Sequence, residues 1–313
     1  MPEPIRLNNR IMIKKLITIV ALATTTFVSA NAQLLYRITS DSQKKPSYII
    51  GTFHLEDGSY LDKIPGANAA LDEVDQVYGE LDVKTMTNPD TLAATQAITM
   101  LPDGKTIKDI LTAEQFEKLD KYVTSILGTG LSNPMVFQQM GKMNPATLDN
   151  TLTITNFLKK MQGKFNPNNI IDLSIQQTAI QKGKKTNGLE TMDFQTKLMF
   201  GRPMNEMIEQ LMCSIDNSEF YDKQTLLLLD AYHEHNIEKL LEITYMKMGN
   251  SCDMTEEYMN GLIFNRNSDW AKKIPAIIKN SPTLFVVGAG HLGGVKGVIN
   301  LLRKAGFMVE GIK

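Results

Sequence analysis

Scarcity marks these 313 residues first: two cysteines, one tryptophan and four histidines. Two cysteines rule out a disulfide-scaffold protein and any metal centre made of four thiolates. Cys213 and Cys252 either pair, closing a loop worth about 4 kcal/mol in the chain-entropy model, or stay two buried thiols. Spacing leaves both open. Charge is nearly balanced, at 33 basic against 34 acidic groups. Residues 1–32 hold four of the basic groups and one acidic group, so the remainder carries 29 against 33, a balance of −4. With no basic excess, nucleic acid is not an expected partner. Beyond the first 32 residues no apolar run approaches the ~20 residues that span a membrane. There is no G-x-S-x-G elbow and no P-loop, so hydrolysis through a covalent serine has no motif behind it. His54-Leu55-Glu56 has the H-x-E form of zinc deaminases but no P-C-x-x-C partner. His233-Glu234-His235 places its imidazoles about 200° apart on a helix, which reads as a solvated helix end.

Present at the start is a secretory grammar: Met12-Ile13-Lys14-Lys15, an apolar run from Leu16, and Ala30-Asn31-Ala32. It predicts a signal peptide over 1–32, cleaved near Ala32, with 1–11 an extension ahead of Met12. No cysteine stands at the cleavage point, so no stable membrane anchor is expected and the product is exported, periplasmic or extracellular.

Residues 33–313 read as one domain. Leu34–Ile38 and Tyr48–Ile50 are strands joined by a hairpin through Lys44-Lys45-Pro46-Ser47. A helix begun by Pro65 carries Ala67, Ala70, Leu71 and Val74 on one face, and a strand follows at Gln76–Leu81. That βαβ succession predicts a parallel pair with a right-handed crossover. From about Pro89 to Lys279 the spacing is helical, punctuated by Gly128, Pro134, Pro145, Pro167, Gly183 and Pro203. Thr186–Glu190 is a candidate return to the sheet. The methionines in this stretch suit adaptable filling between helices. The pattern βα resumes in Leu284–Val287, a helix over Val295–Lys304 and a strand at Phe307–Val309. The expected class is α/β, with a mixed, largely parallel sheet built from both chain ends and a large helical insertion over 89–279.

Two segments repeat one local form, an apolar strand and then G-x-x-H: Ile49-Ile50-Gly51-Thr52-Phe53-His54 and Val286-Val287-Gly288-Ala289-Gly290-His291. In open α/β sheets ligands sit beyond the carboxyl ends of strands. His54, Glu80 and His291 fall at such ends, with Gly51 and Gly288 letting the chain turn tightly. Two imidazoles and a carboxylate match the first shell of a catalytic divalent ion that leaves open positions. The plainer alternative is two turn-capping histidines and a Glu80–lysine pair. A third reading takes Gly288–Gly293 as G-x-G-x-x-G, with Glu310 twenty residues past Gly290 as a ribose-binding acid. Against it stand the export signal, the few residues after Glu310, and the unexplained twin turn at Gly51.

The chain resembles the TraB/GumN family, which is related to the TIKI metalloproteases and more distantly to erythromycin esterases and a haem-binding iron-uptake lipoprotein. The resemblance runs in order through Leu35–Ile38, Ile49–His54, Tyr78–Asp82, Gly188–Gln195, Arg266–Trp270 and Val287–Leu292. It implies a TIKI- and erythromycin-esterase-like fold and a metal-dependent hydrolase. By resemblance His54, His291 and Glu80 are metal ligands, Glu80 being alternatively the general base. Arg266 and Asn267 would line the same pocket on a helix whose Trp270 packs inward, and Glu190 would orient a ligand or anchor Arg266.

The resulting expectation is an exported hydrolase of peptide or amide bonds that uses a metal-activated water, with Mn, Co or Zn as candidate ions. The alternative is a non-enzymatic protein that binds a metal, haem or small ligand in the same pocket. The partner is a peptide or small-molecule substrate.

Overall fold

The apolar runs at both ends of the chain form one sheet. The computed structural model describes residues 33–313 apart from 42, 103, 162–165, 167 and 168. The signal peptide expected over 1–32 and the Pro167 breaker lie outside the described residues. Six strands are present among those described: β1 (Leu35–Thr39), β2 (Ser47–Thr52), β3 (Gln76–Gly79), β4 (Lys185–Gly188), β5 (Thr283–Gly288) and β6 (Met308–Gly311). Their order is β4-β3-β5-β2-β1-β6. β4, β3, β5 and β2 run parallel, and β1 lies antiparallel between β2 and β6. The β1–β2 hairpin and the return of Thr186 to the sheet agree with the sequence reading.

One expectation changes. β2 and β3 run parallel but are not neighbours, because β5 hydrogen-bonds between them. The burial patterns give the reason. β5 is buried at every position, Thr283 to Gly288, whereas β3 alternates between buried and half-buried residues. A strand that is apolar on both faces belongs at the centre of a parallel sheet.

Helices cover the sheet and extend beyond it. Those used below are α1 (Ala67–Glu73), α2 (Ala113–Leu127), α3 (Pro145–Met161), α4 (Ile171–Gln181), α5 (Met204–Asp216), α6 (Ser218–His233), α7 (Arg266–Asn280) and α8 (Val298–Lys304). Ala67 and Leu71 of α1, Ile171 and Ile175 of α4, Trp270 and Ile274 of α7, and Val298 of α8 join Phe285, Val286 and Val287 of β5 in one buried cluster. Each fully buried Val, Leu, Ile or Phe side chain among them contributes about 1.5–3 kcal/mol. A second cluster sits in the helical layer, where Leu119, Val123 and Ile126 of α2 meet Leu148 and Leu152 of α3 and Leu211 of α5. The spacing of those α2 residues is one helical face, and a Thr112–Gln115 capping box starts the helix. Cys213 and Cys252 are disulfide-bonded, with Cα atoms 5.4 Å apart.

The last helix begins at Val298 rather than Val295. Gly294 holds φ at +76°, left-handed backbone that a helix cannot continue through, and a Cβ on Gly297 would fall 2.1 Å from the Gly293 carbonyl oxygen. The glycines therefore form a turn of their own before the helix.

Candidate functional site

Strand register assembles the site. Thr52 of β2 lies opposite Gly288 of β5, so the two G-x-x-H turns leave adjacent parallel strands at one level. On the other flank Gly79 of β3 pairs with Val286 of β5 and with Gly188 of β4. Glu80 and Glu190 thus follow their strands at the same carboxyl edge, where the Glu190 N–H donates to the Glu80 carbonyl at 2.9 Å. The turn after β5 is tight: Gly288 gives its N–H to Glu80 Oε1 at 2.7 Å, and a Cβ on Gly51 would press within 3.0 Å of Ala289. A backbone N–H spent on a carboxylate is not offered to a phosphate, and Gly294 likewise donates to Glu238 at 3.1 Å. The dinucleotide reading loses its physical basis there.

Arg266 ties the parts together. It opens α7 directly after a π-helical turn, Asn260–Asn265, a distortion that often marks functional positions. Its Nη2 donates to Glu80 Oε2 at 2.6 Å and to Glu190 Oε2 at 2.9 Å, and its Nε donates to Glu190 Oε1 at 2.9 Å. Its Nη1 donates to the Leu262 carbonyl and to His291 Nε2, both at 3.1 Å. Glu190 also accepts from Trp270 Nε1 at 2.9 Å, so it anchors the arginine, one of the two roles expected of it. Trp270 is fully buried with its ring centre 4.5 Å from that of His291.

Asn267 sets the His291 tautomer. Its Nδ2 donates to the Lys296 carbonyl at 3.0 Å, which turns Oδ1 towards His291 Nδ1 at 2.6 Å. Nδ1 must then carry hydrogen, and Nε2 must be the lone pair that faces the donor-only guanidinium. Burial drives the His291 pKa down, with the charges of Arg266 and His54 adding to it against the pull of Glu80, so the imidazole is neutral. Burial opposes ionisation of Glu80 as well, but its positive neighbours and the Gly288 N–H outweigh that and hold the carboxyl well below its ordinary range. With His291 neutral, the Arg266 contact is the firmest of these causes.

His54 is the exposed member, its side chain 62% accessible. Its Nδ1 lies 3.1 Å from Asp172 Oδ2, and that carboxylate lifts its pKa to about 9, against desolvation. Asp172 stands in the first turn of α4 and accepts from Thr52 Oγ1 at 2.5 Å. His54, Glu80, Asp172, Gln195, Arg266 and His291 line one cavity of about 440 Å³, together with apolar Leu81, Leu173 and Ile263.

A divalent ion can be tested against this donor set. Each imidazole has Nδ1 turned to an oxygen, Asp172 or Asn267, the outer-shell arrangement that presents Nε2 to a cation. Gly288 leaves a small space among them. A Cβ there would lie 3.3 Å from Glu80 Oε1, 3.5 Å from His54 Nε2 and 3.5 Å from His291 Cδ2. The residue types and the cradle fit an ion. Arg266 is the reservation, since it takes the Nε2 lone pair of His291 and one oxygen of Glu80. In this arrangement His54 Nε2 and Glu80 Oε1 are the donors facing the space, and no group of three metal-ligating side chains is formed among the described residues.

The model of the TraB/PrgY/gumN family matches residues 34–311. The chain belongs to that family. Family relatives with curated names include Metalloprotease TIKI2 of Danio rerio, 22% identical over 306 residues, and Metalloprotease TIKI1 of the same organism, 24% over 305. Metalloprotease TIKI1 of Homo sapiens is 22% identical over 311 residues. The alignments cover 85% of this chain and 58%, 60% and 59% of those proteins, so the chain spans about three-fifths of the relatives' length. No solved structure matches.

Of the residues named from sequence, His54, Glu80, Arg266 and His291 line the cavity; Asn267, expected to line it too, instead sits behind His291, and Glu190 sits behind Arg266. His233 and His235 lie apart from the cavity; His233 ends α6 against Glu56, as a solvated helix end. Asp172 was missed, because nothing in the sequence near Ile171 marks it. Gln195, which donates to Glu80 Oε2 at 3.1 Å, lay within a matched family segment and had no role assigned.

Proposed function

We propose that this family member is an exported hydrolase of peptide or amide bonds, with His54, Glu80 and His291 as the residues that would hold a divalent ion. The observation that carries this reading is the convergence of His54 Nε2, Glu80 Oε1 and the His291 ring on the space left by Gly288. The metalloprotease names of the relatives support the reaction class. When bound, such an ion supplies Lewis-acid polarisation of a carbonyl and makes water more acidic.

The chain's own residues divide the remaining work. A carboxyl held as low as Glu80 is a weak base that stays ionised, which favours a charge-holding role over proton abstraction for this residue. His54 is protonated near neutral pH, and it would have to give up its Nε2 proton to hold an ion. Arg266, once turned from His291, presents donors to an oxyanion or to a substrate carboxylate. Asn267 keeps His291 in the tautomer whose Nε2 carries no hydrogen.

One observation favours a second reading. If Arg266 stays on His291 Nε2, the pocket binds a small ligand or metal without hydrolysing anything. Incubating the purified chain with Mn, Co or Zn and a broad peptide library separates the two. Cleavage that disappears with His291→Ala supports the hydrolase. Ion binding with an untouched library supports the binding protein.

A further inference from the structure

A second cavity, of about 300 Å³, lies in the helical layer, and no role described so far uses it. Residues from α3, α5 and α6 form its walls, and it shares Met199 and Leu262 as lining residues with the cavity around His291. Leu262 belongs to the π-helical turn, and its carbonyl accepts from Arg266. Met199 and Leu262 therefore border both spaces, and the unbranched Met199 side chain is one that a bound chain can displace.

The chemistry of the second cavity is specific. Arg202 lines it with its guanidinium 4.4 Å from the centre of the Tyr258 ring, and its Nε is buried without an acceptor. The other lining cation, Lys160, is already paired with Asp222, which also accepts from Asn156 at 2.8 Å. Asp149 does not supply the missing acceptor as an ion pair; it accepts from the Ser214 hydroxyl at 3.0 Å instead. Burial pushes the Asp149 carboxyl up to about 7, against Ser214 and Arg202, so near neutral pH it can donate as well as accept. A buried donor without an acceptor is costly, and a ligand oxygen removes that cost. A guanidinium stacked on a ring, with a protonatable carboxyl beside it, matches a carboxylate best.

We propose that this cavity is a specificity pocket of the same active site, seating a carboxylate of the substrate on Arg202. The carboxylate is either an acidic side chain or the free C-terminus of a peptide. The pocket's substrate class rests on the hydrolase reading, but its ligand chemistry rests on Arg202 alone.

Retention of peptides tests it without requiring turnover. Purified full-length protein, immobilised and ion-free, is equilibrated with a degenerate hexapeptide library, half amidated and half with free C-termini, and the retained peptides are sequenced by mass spectrometry. Fivefold or greater enrichment of Asp or Glu at one position in the amidated half identifies a side-chain carboxylate. Fivefold preference for the free-carboxylate half identifies the C-terminus. Arg202→Met abolishes the enrichment, and Arg202→Lys, a gentler change that guards against a folding defect, reduces it at least twofold. Absence of both enrichments on wild-type protein, or equal enrichment on Arg202→Met, overturns the proposal. Acidic enrichment with no cleavage by the ion-loaded protein keeps the pocket and removes the hydrolase; cleavage with no enrichment does the reverse.

Discussion

Replacing Arg266 with methionine strands two buried carboxylates. The Arg266 side chain is 8% accessible, and its partners Glu80 and Glu190 are 9% and 2% accessible. Removing one partner of such a pair costs about 3–5 kcal/mol, because an uncompensated charge remains in a poorly solvated place. Neither carboxylate is left wholly without donors. Glu80 keeps the Gly288 N–H and Gln195, and Glu190 keeps Trp270. The loss therefore belongs within that range rather than at twice it. At about 2–4 °C per kcal/mol for a domain near this size, the melting temperature falls by roughly 6–20 °C. If stranded charge is the cause, Glu190→Gln added to Arg266→Met recovers part of the loss, by about 1 kcal/mol or more of coupling. Thermal and urea unfolding followed by circular dichroism measure both. An Arg266→Met cost below about 1 kcal/mol, or a second substitution that adds its own full cost, refutes the buried network as described.

Further outcomes follow from the same geometry. Gly288→Ala, at a backbone φ of −55° open to alanine, keeps the fold but places a methyl 3.3 Å from Glu80 Oε1 and 3.5 Å from His54 Nε2; calorimetric titration should show at least tenfold weaker divalent-ion binding. Opening the Cys213–Cys252 bridge, 39 residues apart, by double substitution to alanine removes about 4 kcal/mol in the chain-entropy model, read as a lower denaturation midpoint. The folded pKa of His54 is raised from 6.5 to about 9, so the stability it shares with Asp172 is complete below pH 6.5 and lost as pH rises through about 9. Exposure limits that contribution to under about 1 kcal/mol. Asp172→Asn should remove this contribution, seen as a smaller fall in the unfolding midpoint between pH 8 and 10 than in the wild type. Because the same proton must leave for an ion to bind at Nε2, ion affinity should increase towards pH 9, with proton release measurable by titrating in buffers of different ionisation enthalpy.

The sheet and the site differ in how far the sequence reveals them. Strand identity was readable from uninterrupted apolar runs such as Leu284–Val287, and the hairpin from its proline-bearing turn. Strand order was not, because neighbour choice depends on which strand is buried on both faces, a property of the assembled sheet. That is why β5 enters between β2 and β3. The site was readable wherever a residue follows a strand within three positions, as do His54, Glu80 and His291. Asp172 reaches His54 from the start of a helix 118 residues further on, and no local pattern announces it. The contact between Arg266 and His291 was equally hidden: the sequence places both at the pocket but does not show that one takes the other's lone pair. That contact matters most to function, since it decides whether three donors or two face the space at Gly288.

The most direct test is therefore divalent-ion binding to the purified full-length chain, with Mn as the probe followed by electron paramagnetic resonance. One bound ion per chain, lost in both His54→Ala and His291→Ala while each variant remains folded, is the predicted result. Wild-type protein that binds no divalent ion, or variants that bind as wild type does, would contradict the claim that the two G-x-x-H turns and Glu80 build a single ion site.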